Sequence, residues 1–370
     1  FKEAGKKLII RDFIYTKAEQ DRFQKAFIDM PEEIVLSLKN TPHDFYPTFP
    51  DNPLMGKVGD HPQITEYDVN GQFFGWCAQP SAMLSDIKRR LKYGKEHKVS
   101  GFLARTDWEG VQDWTCFDNL NMVNLYAIAA YAENENIQEE EIYLRWLQGE
   151  HLISDTLNPG EVKKCVKKIK EIMDETWPIV EKTNFVNGCL FSNDSCMHLT
   201  PEQFTFIGGT HHSLSEWDPE KKDALEMTKE NIAKIVSDKE DAYLACEKLA
   251  DLVEKENMGL TETAYEKMKE HFAFMRWYVR GFRLTARGYC FGRYVTERNE
   301  EDILLDGKTA SQLLGETIRE MEIYKEGLLQ TSFIEKYPFD AQLNPERVEF
   351  YTNALKRMLE EGKAYETNKN

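Results

Sequence analysis

The feature that most constrains the fold is a change of pattern near residue 115. Before it, short runs suited to strands alternate with helical or Pro-rich connections; from Asn119 onward one helical pattern follows another with little strand signal. Lys7 to Tyr15, Ile34 to Leu38, Ile64 to Phe74 and Ser100 to Arg105 read as four strands, each apolar enough to be buried on at least one face. Thr16 with Glu19 three residues on makes a capping box, and Phe23, Phe27 and Met30 then recur on one helical face until Pro31. Met83, Ile87 and Leu91 form a second helical stripe, closed by Gly94. Four strands joined by helices or long connections need parallel crossovers, hence an α/β layer. Helices are then expected over Leu120 to Tyr131, Glu139 to Leu147, Pro159 to Glu181 and Asp218 to Lys255. A chain of 370 residues can bury two cores, and the division expected is an α/β unit at 1–118 and an all-α unit at 119–370.

Charge and cysteine usage exclude several functions. The net charge of -17 argues against nucleic acid, because such binding rests on clustered Lys and Arg displacing counterions from phosphates, and no basic stripe compensates. No apolar run approaches the length of a bilayer span. The seven cysteines show no Cys-x-x-Cys spacing, so neither a zinc knuckle nor a dithiol motif is supported; mostly buried free thiols are expected, with a Cys189 to Cys196 bridge left open as an unsupported alternative. Adjacent His211 and His212 rarely converge on one ion outside a helix, so no metal is expected, and no cofactor. Phe272, Phe274, Trp277, Tyr278 and Phe282 lie at helical spacing and read as core.

In a β/α barrel the chemistry sits where strands end, because the loops there open outward. Arg11 lies within the first strand between Ile9 and Phe13, an expensive place for a charge unless an anion meets it; on the residues alone a structural partner, Asp12 or a neighbouring barrel carboxylate, is the favoured reading, because structural ion pairs outnumber sites. Lys39 and Asp44 bracket a Pro-containing turn at the end of the second strand, with His43 beside Asp44. A cation and a carboxylate on one short loop suit a sugar acid, the cation holding the substrate carboxylate and the acid handling water or a hydroxyl; a plain surface turn is the alternative. Alternation along the third strand aligns Glu66, Asp68, Asn70 and Gln72. At about 3.3 Å per residue Glu66 would lie roughly 20 Å below Gln72, which leaves Gln72 as the one near the chemistry. Arg105, Thr106, Asp107 and Trp108 open a loop at the fourth strand end that also holds Trp114; such tryptophans stack on sugars or cap barrels as apolar lids.

Taken together, Ile9-Ile10-Arg11-Asp12-Phe13-Ile14-Tyr15, Lys39-Asn40-Thr41-Pro42-His43-Asp44-Phe45 and Glu66-Tyr67-Asp68-Val69-Asn70-Gly71-Gln72-Phe73-Phe74-Gly75 resemble successive strand motifs of the xylan-debranching α-glucuronidases, glycoside hydrolase family sixty-seven. Asp113-Trp114-Thr115 and Asn124-Leu125-Tyr126-Ala127 resemble the motif by which that family leaves its last barrel strand and enters its helical domain. The resemblance implies strands five to eight of a TIM (β/α)8 barrel followed by a C-terminal α-helical domain, with Arg11 and Lys39 on the uronate carboxylate and Asp44 as one of two carboxylates that activate water in an inverting mechanism. The second such carboxylate falls on Gln72, and an amide is no general base at neutral pH. His43 and Asp12 replace apolar family residues, and the family's general acid lies on an earlier strand. In that family the helical domain supports dimerisation.

The function expected is therefore a glycoside hydrolase, α-glucuronidase-like, on a uronic-acid-bearing glycan, with Asp44 and Gln72 at the reacting centre and Arg11, Lys39, His43, Arg105, Asp107 and Trp108 around the sugar. A non-catalytic glycan-binding or scaffold protein on a degenerate barrel is the second reading, and a helical interaction module anchored by the half barrel the third. Four unclosed strands expose two edges and an apolar face, so the missing half is expected in cis or in trans, or the fold closes differently. A polysaccharide target implies a periplasmic or secreted location.

Overall fold

The computed structural model describes residues 1, 3–107, 115–210, 214–298, 302–333 and 343–367. Trp108, Asp113, Trp114, His211 and His212 lie outside the described residues. The chain opens with β1 (Ile9–Arg11), α1 (Lys17–Ile28), β2 (Val35–Lys39), β3 (Gln63–Asp68), α2 (Leu84–Glu96) and β4 (Val99–Arg105). The four strands form one parallel sheet in chain order, with Arg11 beside Ser37, Lys39 beside Glu66 and Asp68 beside Arg105. Helices follow: α3 (Met122–Glu133), α4 (Glu139–Gly149), α5 (Pro159–Asp174) and α6 (Thr176–Asn184). A small hairpin, β5 (Phe185–Val186) with β6 (Cys189–Leu190), leads to α7 (Pro201–Thr210), α8 (Lys229–Lys255) and α9 (Glu262–Glu297). A second hairpin, β7 (Ile303–Leu305) with β8 (Lys308–Thr309), precedes α10 (Ala310–Leu328) and α11 (Pro345–Thr367). The protein is thus mixed α/β, a parallel sheet followed by many helices.

Local chemistry sets these boundaries. The Thr16 hydroxyl accepts from the Glu19 N–H at 3.2 Å while the Glu19 carboxylate accepts from the Thr16 N–H at 3.0 Å, the capping box read from the sequence. Phe27 of α1 then packs with Leu36 and Leu38 of β2, and Phe23 and Met30 close over them. Gly94, expected to end α2, lies inside it; the left-handed residue after the helix is Lys98, with φ of 63°. The single helix expected from Pro159 to Glu181 is two, because Pro178 lacks an N–H and crowds the preceding turn, and Thr176 turns its hydroxyl to the Met173 carbonyl at 2.6 Å. The helix expected from Asp218 starts at Lys229, where Thr228 caps the Asn231 N–H at 3.1 Å.

The third strand ends at Asp68, six residues before the expected Phe74. Its carboxylate accepts the N–H groups of Asn70, Gly71 and Gln72 at 3.0, 3.2 and 2.8 Å, which curls the chain out of the sheet. Gly71, with φ of 86°, permits the turn.

One apolar core runs without interruption from Phe45 and Tyr67 through α3 to α6 and on to α9, α10 and α11. Phe272, Phe274, Tyr278 and Phe282 are buried in it, and Trp277 packs against it. All seven cysteines are buried free thiols, so Cys189 and Cys196 form no bridge. Among the described residues no helix is long and apolar enough to cross a membrane.

The sheet's two faces differ. Ile10, Leu36 and Leu38 meet α1 and its neighbours, whereas alternation and register put Ile9, Arg11, Ser37, Lys39, Glu66, Asp68, Leu103 and Arg105 on the other. That second face is polar in the middle and bare at its margins, where Ile9 and Leu103 are 54% and 50% exposed.

Candidate functional site

Lys39, the last residue of β2, is buried and reaches the Asp44 carboxylate in the loop that follows. Asp44 and Phe45 have φ of 38° and 68°, left-handed conformations that non-glycine residues hold only when their surroundings enforce them. This bend returns Asp44 over the lysine. The ammonium also lies 4.1 Å from the Phe13 ring centre and 5.0 Å from that of Phe45, a cation held by two aromatic faces. Burial lowers the Lys39 pKa, opposed by the charge and hydrogen bond of Asp44 and the charge of Asp12, and the nearby Arg11 guanidinium lowers it further.

Beneath this pair lies Asp12, a fully buried carboxyl that accepts from the Lys39 N–H at 2.9 Å and from Asn52 Nδ2 at 3.0 Å. Burial pushes Asp12 up to about 7, against those hydrogen bonds and the lysine charge, so its carboxyl titrates near neutrality. Asn52 also donates to the Lys39 carbonyl at 2.9 Å and so ties the end of β1 to the end of β2.

Arg11 projects from β1 across β2 to β3, where its Nε meets Glu66 Oε2 at 2.7 Å. The other Glu66 oxygen accepts from the Ser37 hydroxyl at 2.7 Å. The arginine side chain is 44% exposed and the glutamate 10%, so the pair has one wet end. A neighbouring sheet carboxylate is therefore the partner of Arg11, one of the two structural partners considered from the sequence. Because β3 stops at Asp68, the 20 Å separation that set Glu66 aside does not arise; Glu66 stands at the level of Lys39.

The other expected site residues are placed less uniformly. Gln72 is buried in the turn after β3; its carbonyl accepts from the Ser195 hydroxyl at 2.6 Å, and its side-chain oxygen is buried with no hydrogen-bond partner among the described residues. His43 is fully buried, stacked on Tyr46 at 4.7 Å and edge-on to Tyr15 at 5.2 Å, so it supports the aromatic wall from behind. The Arg105 guanidinium lies 5.8 Å from the Phe45 ring centre, and its charge favours the ionised form of Asp68, whose pKa burial raises. Asp107 is exposed and its backbone pairs with Thr115.

Arg11, Lys39, Asp44 and Glu66 thus meet at the C-terminal ends of adjacent parallel strands, with Phe13 and Tyr15 exposed beside them. Such a set can hold an anion, present a carboxylate to water and stack a sugar ring. Asp194 joins from the helical region: its charge and that of Asp44 both raise the phenols of Tyr15 and Tyr46, burial being the larger cause in each. Nothing in the sequence marks Asp194, 150 positions beyond Asp44, except the polar Asn193-Asp194-Ser195 interruption of an apolar run. Among the described residues no group of His, Cys, Asp and Glu has the arrangement of a metal site.

The chain matches no protein-family model and no curated protein. Its fold is similar to that of a solved structure described as a GH138 enzyme targeting pectin rhamnogalacturonan II, with 12% identity over 98% of this chain and 45% of that one and a TM-score of 0.54. A second solved structure, described as a GH115 4-O-methyl-α-glucuronidase with specificity for decorated arabinogalactans, is similar at 12% identity over 92% of this chain and 38% of that one, with a TM-score of 0.42. The chain spans less than half the length of either. The fold is therefore distantly glycoside-hydrolase-like. It does not single out family sixty-seven, the family that the strand motifs resemble.

Proposed function

We propose that this chain is the C-terminal part of a glycoside hydrolase that acts on a uronic-acid-bearing glycan, with β1 to β4 as the last four strands of a (β/α)8 barrel. The observation that carries the reading is the meeting of Arg11, Lys39 and Asp44 at the C-terminal ends of the neighbouring strands β1 and β2. Chain-order parallel strands and a polar, partly bare inner face support the barrel reading, since further strands, in cis or in trans, would cover Ile9 and Leu103.

In this reading Arg11 and Lys39 hold the sugar carboxylate. Glu66 occupies Nε of Arg11, and the exposed end of the guanidinium matches a carboxylate's two oxygens. Asp44 takes a proton from the attacking water while a carboxylic acid from outside these 370 residues protonates the leaving oxygen, as inversion requires. Such a target would place the protein outside the cytoplasm, and a homodimer through the helical region belongs to the same reading.

The second reading is a binder without turnover. It draws on Gln72, whose amide stands where the resemblance calls for a second base. Hydrolysis of glucuronic- and galacturonic-acid-bearing oligosaccharides by the wild type and by Asp44→Asn separates the two. Activity lost in the variant with sugar-acid binding retained supports the enzyme; full activity in the variant removes Asp44 from the mechanism, and tight binding by the wild type without product favours the binder.

A further inference from the structure

The residues that approach Asp44 from the helical region form a built feature rather than a passing loop. Asn193 and Cys196 exchange both backbone hydrogen bonds at 2.9 Å, which leaves Asp194 and Ser195 as the two central residues of a tight turn. Both have positive φ, 47° and 67°, as a turn of this type demands, yet neither is glycine. Two adjacent non-glycine residues in the left-handed region cost stability, so something must hold them.

Four contacts do so. The Ser195 hydroxyl donates to the Gln72 carbonyl at 2.6 Å and accepts from the Gly75 N–H at 2.8 Å, clamping the turn to the loop after β3. The Tyr278 hydroxyl of α9 donates to the Ser195 carbonyl at 2.6 Å, and the Ser192 hydroxyl donates to the Phe73 carbonyl. Every one of these anchors is buried, whereas the Asp194 side chain is exposed. Phe73, whose carbonyl takes the Ser192 hydroxyl, packs edge-on against Tyr46 at 4.7 Å, and the Asp194 charge, like that of Asp44, is among those that raise the Tyr15 and Tyr46 phenols. Gln72, whose carbonyl receives the clamp, keeps a buried amide oxygen with no partner among the described residues.

We propose that Asp194 is a substrate-binding residue of this site, a carboxylate supplied by the helical region to accept hydrogen bonds from hydroxyls of the sugar whose acid group Arg11 and Lys39 hold. Cations on the strand ends and an acceptor on the facing turn divide the ring between them, so the ligand class is a sugar acid with free hydroxyls opposite its carboxylate. This deepens the reading of Arg11, Lys39 and Asp44 and rests on it.

The test uses the full chain with glucuronate and galacturonate, monosaccharide and disaccharide, and glucose as the neutral control. Asparagine tolerates a left-handed φ, so Asp194→Asn keeps the turn while removing the charge. Calorimetry is expected to show about tenfold weaker sugar-acid binding in Asp194→Asn. In the ring-carbon resonance of Tyr15, the phenol is expected to ionise at lower pH in the variant. Wild-type affinity in Asp194→Asn, with binding lost in Lys39→Met, overturns this inference alone. Absence of wild-type binding to every sugar acid overturns the site reading and this inference with it. An unchanged Tyr15 titration shows that the Asp194 charge does not reach the site and overturns the proposal.

Discussion

Arg11 on β1 and Glu66 on β3 form a 2.7 Å ion pair across the intervening strand β2, joining two strands that share no backbone hydrogen bond. The glutamate end is the buried one, and it accepts from the buried Ser37 hydroxyl at 2.7 Å. Glu66→Ala is expected to destabilise by about 1–3 kcal/mol, since a buried donor is left unpaired. Arg11→Ala is expected to cost under about 1 kcal/mol, because its side chain is substantially exposed and the pair is screened by solvent. Urea unfolding of the two variants checks the order; equal effects would mean that the strand-bridging pair, rather than the Ser37 contact, carries the stability.

Asp12 makes stability depend on pH. Its folded pKa, about 7, is above the ordinary carboxyl value of 3.8, because burial penalises the charged form. The native state therefore binds more protons than the unfolded state between those values. Its contribution is present in full below the unfolded pKa and is lost progressively as pH rises from there through about 7. Asp12→Asn removes this titration, so stability measured from pH 4 to 8 should fall less steeply in the variant than in the wild type. Asn52 Nδ2 would then face an amide, which sets the absolute level but not the slope.

Lys239 anchors the helical region. Buried in α8, its ammonium donates to the carbonyls of Lys182, Thr183 and Phe185, the last two at 2.6 Å, and so satisfies the C-terminal end of α6. Lys239→Met keeps the aliphatic stem but leaves three carbonyls unpaired, and a loss of about 3 kcal/mol or more is expected by chemical denaturation. A loss below about 1 kcal/mol would show that water replaces the ammonium there.

Gly75 fixes the loop after β3. Its φ is 111°, and a Cβ there would stand 2.5 Å from Gln79 Cβ and 3.1 Å from the Gln79 nitrogen. Gly75→Ala should therefore destabilise by about 2 kcal/mol or more and displace the Gly75 N–H from Ser195. Thermal unfolding close to that of the wild type would contradict the rigid clamp.

What the sequence discloses of this fold follows locality. The Thr16 and Glu19 cap, the Phe27 stripe and the second strand are legible because each depends on neighbours within a few residues, whereas the first strand is only Ile9–Arg11 of the expected Lys7 to Tyr15. The strand β3 is misjudged because Tyr67, Val69 and Phe73 continue an alternating pattern after Asp68 has already captured three N–H groups; Gly71 and Gly75 are the local signs of that turn. Glu66 is set aside for the same reason, since its distance from the chemistry depends on where the strand stops. Lys39 with Asp44 is legible from one short loop. Asp194 is not, because its place is set by Ser195 reaching Gln72 and Gly75 over 123 and 120 positions, contacts that no local pattern encodes.

The most direct test of the central claim is calorimetric binding of glucuronate against glucose at low and high salt, in the wild type and in Lys39→Met. Preference for glucuronate by at least about tenfold, weakened by salt and abolished in the variant, is the expected result. Equal affinity for the two sugars, or a glucuronate preference that survives Lys39→Met, would contradict a sugar-acid site at Arg11, Lys39 and Asp44.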